Sequence, residues 1–113
     1  MTVDDPLMRA RAQVLHDLQT CGFADPRGVS ILEDAVVARR WWVEEWPEGA
    51  EYVAGQLAQD VQEALLDTVG RWPLCRACQN SEPHELRIEP ELGPSPHWVC
   101  ERSGIVVAAL GTL

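Results

Sequence analysis

The sequence predicts an α+β fold: two helices on a small antiparallel sheet, followed by a C-terminal zinc-ribbon-like β unit. Three observations predict it. Val53, Leu57, Val61, Leu65 and Val69 recur every four positions, the spacing of one helix face. After Trp72 that periodicity stops, prolines recur at 73, 83, 90, 94 and 96, and only short apolar pieces remain. Within this stretch Cys75, Cys78 and Cys100 stand beside His84 and His97, a donor set that suits one metal ion. The expected organisation is an α/β body over 1–70 with a ribbon-like tail over 71–113 packed on it. Together they make one compact domain, because 113 residues suffice for a single modest core.

Asp5-Pro6 ahead of LMRARAQVLHDLQ reads as a helix start. An N-cap aspartate accepts from the first free N–H groups, and a proline at the first helical position forfeits no bond. Leu7, Val14, Leu15 and Leu18 share a stripe and Gly22 stops it, so the first helix is expected over about 6–20. Asp25-Pro26 and Gly28 mark a loop over 23–28. The next stretch, VSILEDAVVARRWWVEEW, is dense in β-branched and aromatic residues and predicts a hairpin over 29–46 turning near Glu33-Asp34. Ser30 and Glu33 also fit a capping box, which is the competing helical reading. The strongest helix is expected from Pro47 to about Val69. Glu48 and Glu51 lie in its first turn, where the dipole favours anions, and Gly70 and Pro73 end it. Strands are expected at 86–88, 98–99 and 105–110. Pieces so short need a staple, and in a reducing compartment the usual one is a metal.

Charge narrows the function classes. Eighteen acids face nine bases, all of them arginine, for a net charge of −9. Residues 1–70 hold 13 of the acids and 5 of the arginines. Nucleic-acid affinity rests on neutralising phosphates, so an acidic body argues against it. Arg71, Arg76, Arg87 and Arg102 are the residues a nucleic-acid-associated zinc module would use. No run approaches the 18 or so apolar residues of a membrane helix, and the start, MTVDDPLMRARAQ, has no apolar signal-peptide core. The expected location is the cytoplasm.

The C-terminal set reads Cys75-x2-Cys78-x5-His84-x12-His97-x2-Cys100. Two thiolates at C-x2-C spacing meet one ion from a tight turn, and zinc then needs two further ligands. Spacing favours His97, since H-x2-C is a familiar pair. Against that, Cys100-Glu101-Arg102-Ser103-Gly104 has the form of a zinc knuckle with serine in place of its second cysteine. A knuckle short of one ligand must borrow it, and His84 at a strand start is well placed. The expected site is one structural zinc on Cys75, Cys78, His84 and Cys100, with His97 as the alternate fourth ligand. Cys21 reads as a small core residue, and His16 as a surface or core histidine.

A Cys3His set leaves no position for water, which argues against a catalytic zinc. No H-x-E precedes the cysteines, His84-Glu85 does not extend to H-E-x-x-H, and no Gly-rich phosphate loop is present. A thiol redox pair is the alternative, but Cys75 follows a helix end instead of opening one. Glu44 and Glu45 read as a solvated strand edge. Five tryptophans are many for this length. Trp41 and Trp42, adjacent on a strand, would point to opposite faces, so one of them is a candidate partner contact. The leading expectation is a non-enzymatic, zinc-stabilised protein with a protein partner. The alternatives are a nucleic-acid-associated zinc module and a thiol redox protein or enzyme.

The ending from Trp72 to Leu113 resembles small uncharacterised actinobacterial proteins that close in a W-P-x-C-x-x-[CH]…H-x-L…W-x-C-x-x-x-G…V-A-x-[IL]-G pattern. The matching positions are Trp72, Pro73, Cys75, Cys78, His84, Leu86, Trp98, Cys100, Gly104, Val107, Ala108, Leu110 and Gly111. The resemblance implies a zinc-ribbon-like fold with His84 as ligand, and it carries no activity with it.

Overall fold

The computed structural model describes residues 5–78 and 82–113; residues 1–4, the head of the acidic start, lie outside it. The chain runs α1 (Pro6–Thr20), α2 (Pro26–Glu45), a 3₁₀ helix (Pro47–Tyr52), α3 (Val53–Thr68), then β1 (Arg87–Glu89), β2 (His97–Val99) and β3 (Val106–Ala109). The strands form one antiparallel sheet in the order β1-β2-β3. The class is α+β, as expected, with all strands in the C-terminal part.

α1 forms where its signals place it. The Asp5 carboxylate accepts from the Leu7 and Met8 N–H groups, at 3.0 and 3.4 Å, and Pro6 takes the first helical position. Leu7, Ala10, Val14 and Leu18 are buried along one stripe.

The expected hairpin over 29–46 is instead helical, nearly all of it lying in a twenty-residue helix. Asp25 is its N-cap, accepting from Gly28 N–H at 2.8 Å, with Pro26 at the first helical position. The expected loop over 23–28 therefore contains the helix's first turn. A β-branched residue costs a helix no more than about 0.7 kcal/mol. Here the chain recovers that cost by burying Gly28, Leu32 and Val36 at four-residue spacing. Gly28 is required: a Cβ there would stand 1.8 Å from the Phe23 carbonyl oxygen. Glu44 and Glu45 are exposed at the end of α2, not on a strand edge.

The expected helix over 47–69 divides into the 3₁₀ turn and α3. Val53, Leu57, Val61 and Leu65 are all buried, whereas Val69, at the C-cap, is exposed. Arg39 of α2 grips Asp60 of α3 with two bonds, Nε–Oδ2 at 2.6 Å and Nη2–Oδ1 at 2.9 Å.

The sheet packs on the helices through one continuous core. Trp72, Leu86, Ile88, Trp98 and Leu110 join the buried faces of all three helices. Trp72 and Trp98 meet edge to face, their ring centroids 5.2 Å apart. Gln62 of α3 donates to the Trp72 and Leu86 carbonyls, at 3.1 and 2.6 Å.

A buried carboxylate fixes the tail to α1. Asp17 has no exposed surface. Its Oδ2 accepts from Trp98 Nε1 at 2.8 Å and from Gly111 N–H at 2.7 Å, and its Oδ1 accepts from Leu113 N–H at 3.1 Å. Its backbone carbonyl accepts from Trp72 Nε1 at 3.3 Å. A buried charge is tolerated only when its lone pairs are met, and here they are.

Candidate metal centre

Backbone pairing brings His84 to Cys75. After α3 the chain runs extended: Leu74 bridges Glu85, Cys75 N–H donates to the His84 carbonyl at 2.8 Å, and Leu86 N–H donates to the Pro73 carbonyl at 2.8 Å. Cys75 and His84 are therefore neighbours across this short ladder. Cys78 returns on the turn that begins at Cys75.

Cys100 arrives from the other side, directly after β2. Its N–H donates to the Ile105 carbonyl and its carbonyl accepts from Gly104 N–H, both at 2.8 Å. Gly104, at φ +78°, makes the left-handed turn that closes this loop. The loop at C-E-R-S-G is thus a tight turn closed by these two bonds. Ser103 stands in place of the second cysteine and lowers the Cys100 thiol.

The ligand atoms of Cys75, Cys78, His84 and Cys100 all lie within 4.8 Å of one another. Cys75 Sγ stands 3.8 Å from Cys78 Sγ, and His84 Nε2 stands 3.4 Å from Cys78 Sγ and 3.6 Å from Cys100 Sγ. No disulfide joins any of the four cysteines. His84 Nδ1–H donates to the Glu82 carbonyl at 2.8 Å, which fixes the tautomer and leaves the Nε2 lone pair facing the three sulfurs. Three thiols and an oriented imidazole converging on one point could hold a metal ion.

The electrostatics suit a cation. Ser103 hydrogen bonds and the His84 ring hold the Cys100 thiol far below its ordinary value, down to about 5, against the opposing effect of burial. Burial also opposes ionisation of Cys75, but the N–H groups of Cys78 and Ala77 outweigh it and keep that thiol below its ordinary range. The Glu82 carbonyl and the Cys100 sulfur raise His84. Thiolates are the form that binds metal.

His97 is not in the cluster. It lies on β2 opposite Glu89 and Ala109, and its Nδ1 bonds the Ser95 carbonyl at 2.8 Å. Strand alternation explains its position. Trp98 faces the helices, so His97 is turned to the other face of the sheet, and Cys100 lies beyond the strand on its own turn. His16 is also elsewhere, bonded to the Asp17 carboxylate at 3.0 Å.

Cys21 does not occupy the core. It caps α1 and is exposed, because Gly22, at φ +79°, turns the chain before another helical turn can carry the thiol inward. Trp41 and Trp42, now on a helix, differ sharply. Trp42 packs edge to face on Trp46, with centroids 5.2 Å apart and the Arg39 guanidinium 5.0 Å from its own ring. Trp41 is 65% exposed. Of the four tail arginines, three are paired: Arg71 with Glu85, Arg87 with Glu89 and Glu101, and Arg102 with Glu82.

Sequence reasoning missed Asp17 and Gln62. Asp17 had a visible signal, since an acid three residues after Val14 falls on the buried stripe of α1. Gln62 had none, because a glutamine on a helix reads as a solvated residue.

Fold and site together define an α+β domain whose C-terminal sheet carries a Cys3His cluster able to hold a metal. Across residues 3–110 the chain matches a family described as a domain of unknown function, DUF8819, and it belongs to that family. No curated protein and no solved structure matches the chain. Among the described residues, no helix is long and apolar enough to cross a membrane.

Proposed function

We propose that this is a non-enzymatic protein-interaction domain whose sheet is fastened by one structural zinc on Cys75, Cys78, His84 and Cys100. The observation that carries the zinc assignment is the spacing of the donors. A tetrahedral zinc with Zn–S of about 2.3 Å and Zn–N of about 2.0–2.1 Å sets sulfur atoms roughly 3.8 Å apart and sulfur to nitrogen roughly 3.6 Å. The Cys75–Cys78 separation is 3.8 Å, and the two His84 separations are 3.4 and 3.6 Å. Four protein donors complete the shell and leave no position for a reacting water, which supports a structural role over a catalytic one.

The partner surface we assign to α2. Val37 and Trp41, one turn apart, are 72% and 65% exposed. Beside them lies a groove whose apolar floor of Ile31, Ala35 and Ala38 is edged by Asp34, Arg39 and Asp60. Large exposed aromatics on a rigid element are enriched among interface anchors. The pairing of three tail arginines with neighbouring carboxylates speaks against the nucleic-acid reading.

Elemental analysis of protein purified without added metal tests the zinc assignment, with one zinc per chain expected. Metal-free protein that is fully folded with intact thiols would end it. The partner reading is tested by comparing wild type with Trp41→Ala in quantitative pull-downs from native lysate, with electrophoretic shifts on mixed DNA and RNA run alongside. A specific, stoichiometric protein lost in the variant is expected. Salt-sensitive binding of nucleic acid at micromolar concentration, or retention unchanged by Trp41→Ala, would overturn it.

A further inference from the structure

A cavity of about 580 Å³ opens between the end of α1 and the turn that carries Cys75. Its size lies within the range of small-molecule sites. Phe23, Leu74, Leu86 and Val107 supply apolar walls, and Cys21 and Arg76 also line it. Two features of this lining are unexplained by folding alone. Leu74, an apolar side chain of this lining, is left 38% exposed. Arg76 alone of the four tail arginines has no carboxylate partner among the described residues, in a chain where acids outnumber bases two to one. Burial and the Asp17 charge raise the Cys21 thiol on the same lining, and the Arg76 guanidinium opposes them. The guanidinium and the apolar walls therefore face one space.

We propose that this cavity is a binding site for a small aliphatic monocarboxylate, with the hydrocarbon chain against Phe23, Leu86 and Val107 and the carboxylate on Arg76. Charge complementarity selects the anion. Arginine is the side chain best suited to a carboxylate because its planar fork meets both oxygens. The apolar walls select the body, since a small hydrophilic anion would leave them wet. Arg76 lies in the Cys75–Cys78 turn, so the site borders the metal cluster, and metal content is read beside affinity to tell the two apart; the α2 surface is separate.

The probes are octanoate, octanol and octyltrimethylammonium, titrated into the purified full chain with its native metal content. Binding is followed by calorimetry and by the rate at which iodoacetamide alkylates Cys21, read by peptide mass. Octanoate is expected to bind saturably and to slow Cys21 alkylation several-fold, whereas octyltrimethylammonium does neither. Arg76→Gln should weaken octanoate about tenfold, as for loss of one charge contact, and leave octanol unchanged. Arg76→Lys, which keeps the charge but loses the fork, should recover part of the octanoate affinity, and that partial rescue separates lost charge from a disturbed Cys75 turn. Metal content and thermal unfolding are measured for both variants. Absence of saturable octanoate binding overturns the proposal. So does octanol binding as tightly as octanoate, binding that leaves Cys21 alkylation unchanged, or an affinity indifferent to Arg76→Gln.

Discussion

Asp17→Ala is the substitution that most directly tests how the tail is held to the helices. It removes a carboxylate that accepts from Trp98 Nε1, Gly111 N–H and Leu113 N–H. A hydrogen bond to a charged group contributes about 1.5–3 kcal/mol net, and contributions within one network do not add. Gly111 and Leu113 are half-buried, so their N–H groups recover water once the carboxylate is gone. Trp98 is fully buried, and its indole N–H is left unmet at a cost of about 1–3 kcal/mol. The expected loss is on the order of 3–5 kcal/mol, a large part of the roughly 5–15 kcal/mol that holds an ordinary domain together. Asp17→Asn keeps the shape and one acceptor oxygen and should lose about half as much. Urea unfolding followed by tryptophan fluorescence reads both. If Asp17→Ala costs less than about 1 kcal/mol with the slope of unfolding unchanged, the carboxylate is not what fastens the tail.

Three further outcomes are expected. His84→Ala should shed metal while His97→Ala keeps it, as elemental analysis will show; the opposite result restores the H-x2-C pairing. In metal-free protein the Cys100 thiol, held down to about 5 against an ordinary 9.0, contributes stability that is complete above the ordinary value and is lost as pH falls through about 5. Ser103→Ala removes the largest cause of that depression, so a thiolate absorbance titration should move to higher pH, and an unmoved curve contradicts the assignment. Trp98→Ala should cost about 3–5 kcal/mol as a cavity in the core, whereas Trp41→Ala should change stability by less than about 0.5 kcal/mol; denaturant curves compare them, and a destabilised Trp41→Ala would mean that this ring packs on the fold.

The metal cluster was legible because its chemistry is local. Two cysteines in one turn, a knuckle with serine in its fourth place and a histidine at a strand start all lie close in sequence to what they do. α1 was legible for a similar reason, through Asp5-Pro6 and one apolar stripe. α2 was not, although it opens with the same pair. At Asp25-Pro26 the dipeptide was read as a loop, because the β-branched run beyond it spoke for strands. Strand propensity is weak and depends on context. Packing Leu32 and Val36 onto α1 and α3 decided the outcome, and that neighbourhood is invisible in the residues themselves. Cys21 failed for the opposite reason. Its spacing fits the buried stripe, but the left-handed Gly22 ends the helix one residue later and leaves the thiol outside.

The Asp17 anchor and the proposed metal clamp lie at opposite ends of one short path. Trp98 bonds Asp17, and Cys100, two residues on, belongs to the metal cluster. Trp98 also packs on Trp72, which stands three residues before Cys75. The rings thus bridge the carboxylate anchor to both cysteine turns. Strands of three or four residues make too few ladder bonds to stand alone, so the sheet needs at least one end held. Were the proposed metal lost, the Cys75 and Cys100 turns would be freed but Trp98 would stay held by Asp17. Losing Asp17 frees Trp98 but leaves the turns clamped. Either loss alone leaves one anchor, and losing both leaves none. The cost of Asp17→Ala should therefore be greater in metal-stripped protein than in metal-loaded protein. Urea unfolding of wild type and Asp17→Ala, each with and without chelator, gives that coupling as a double-mutant cycle. Costs that simply add would mean that the tail folds as two independent halves, and the tryptophan bridge would carry no coupling.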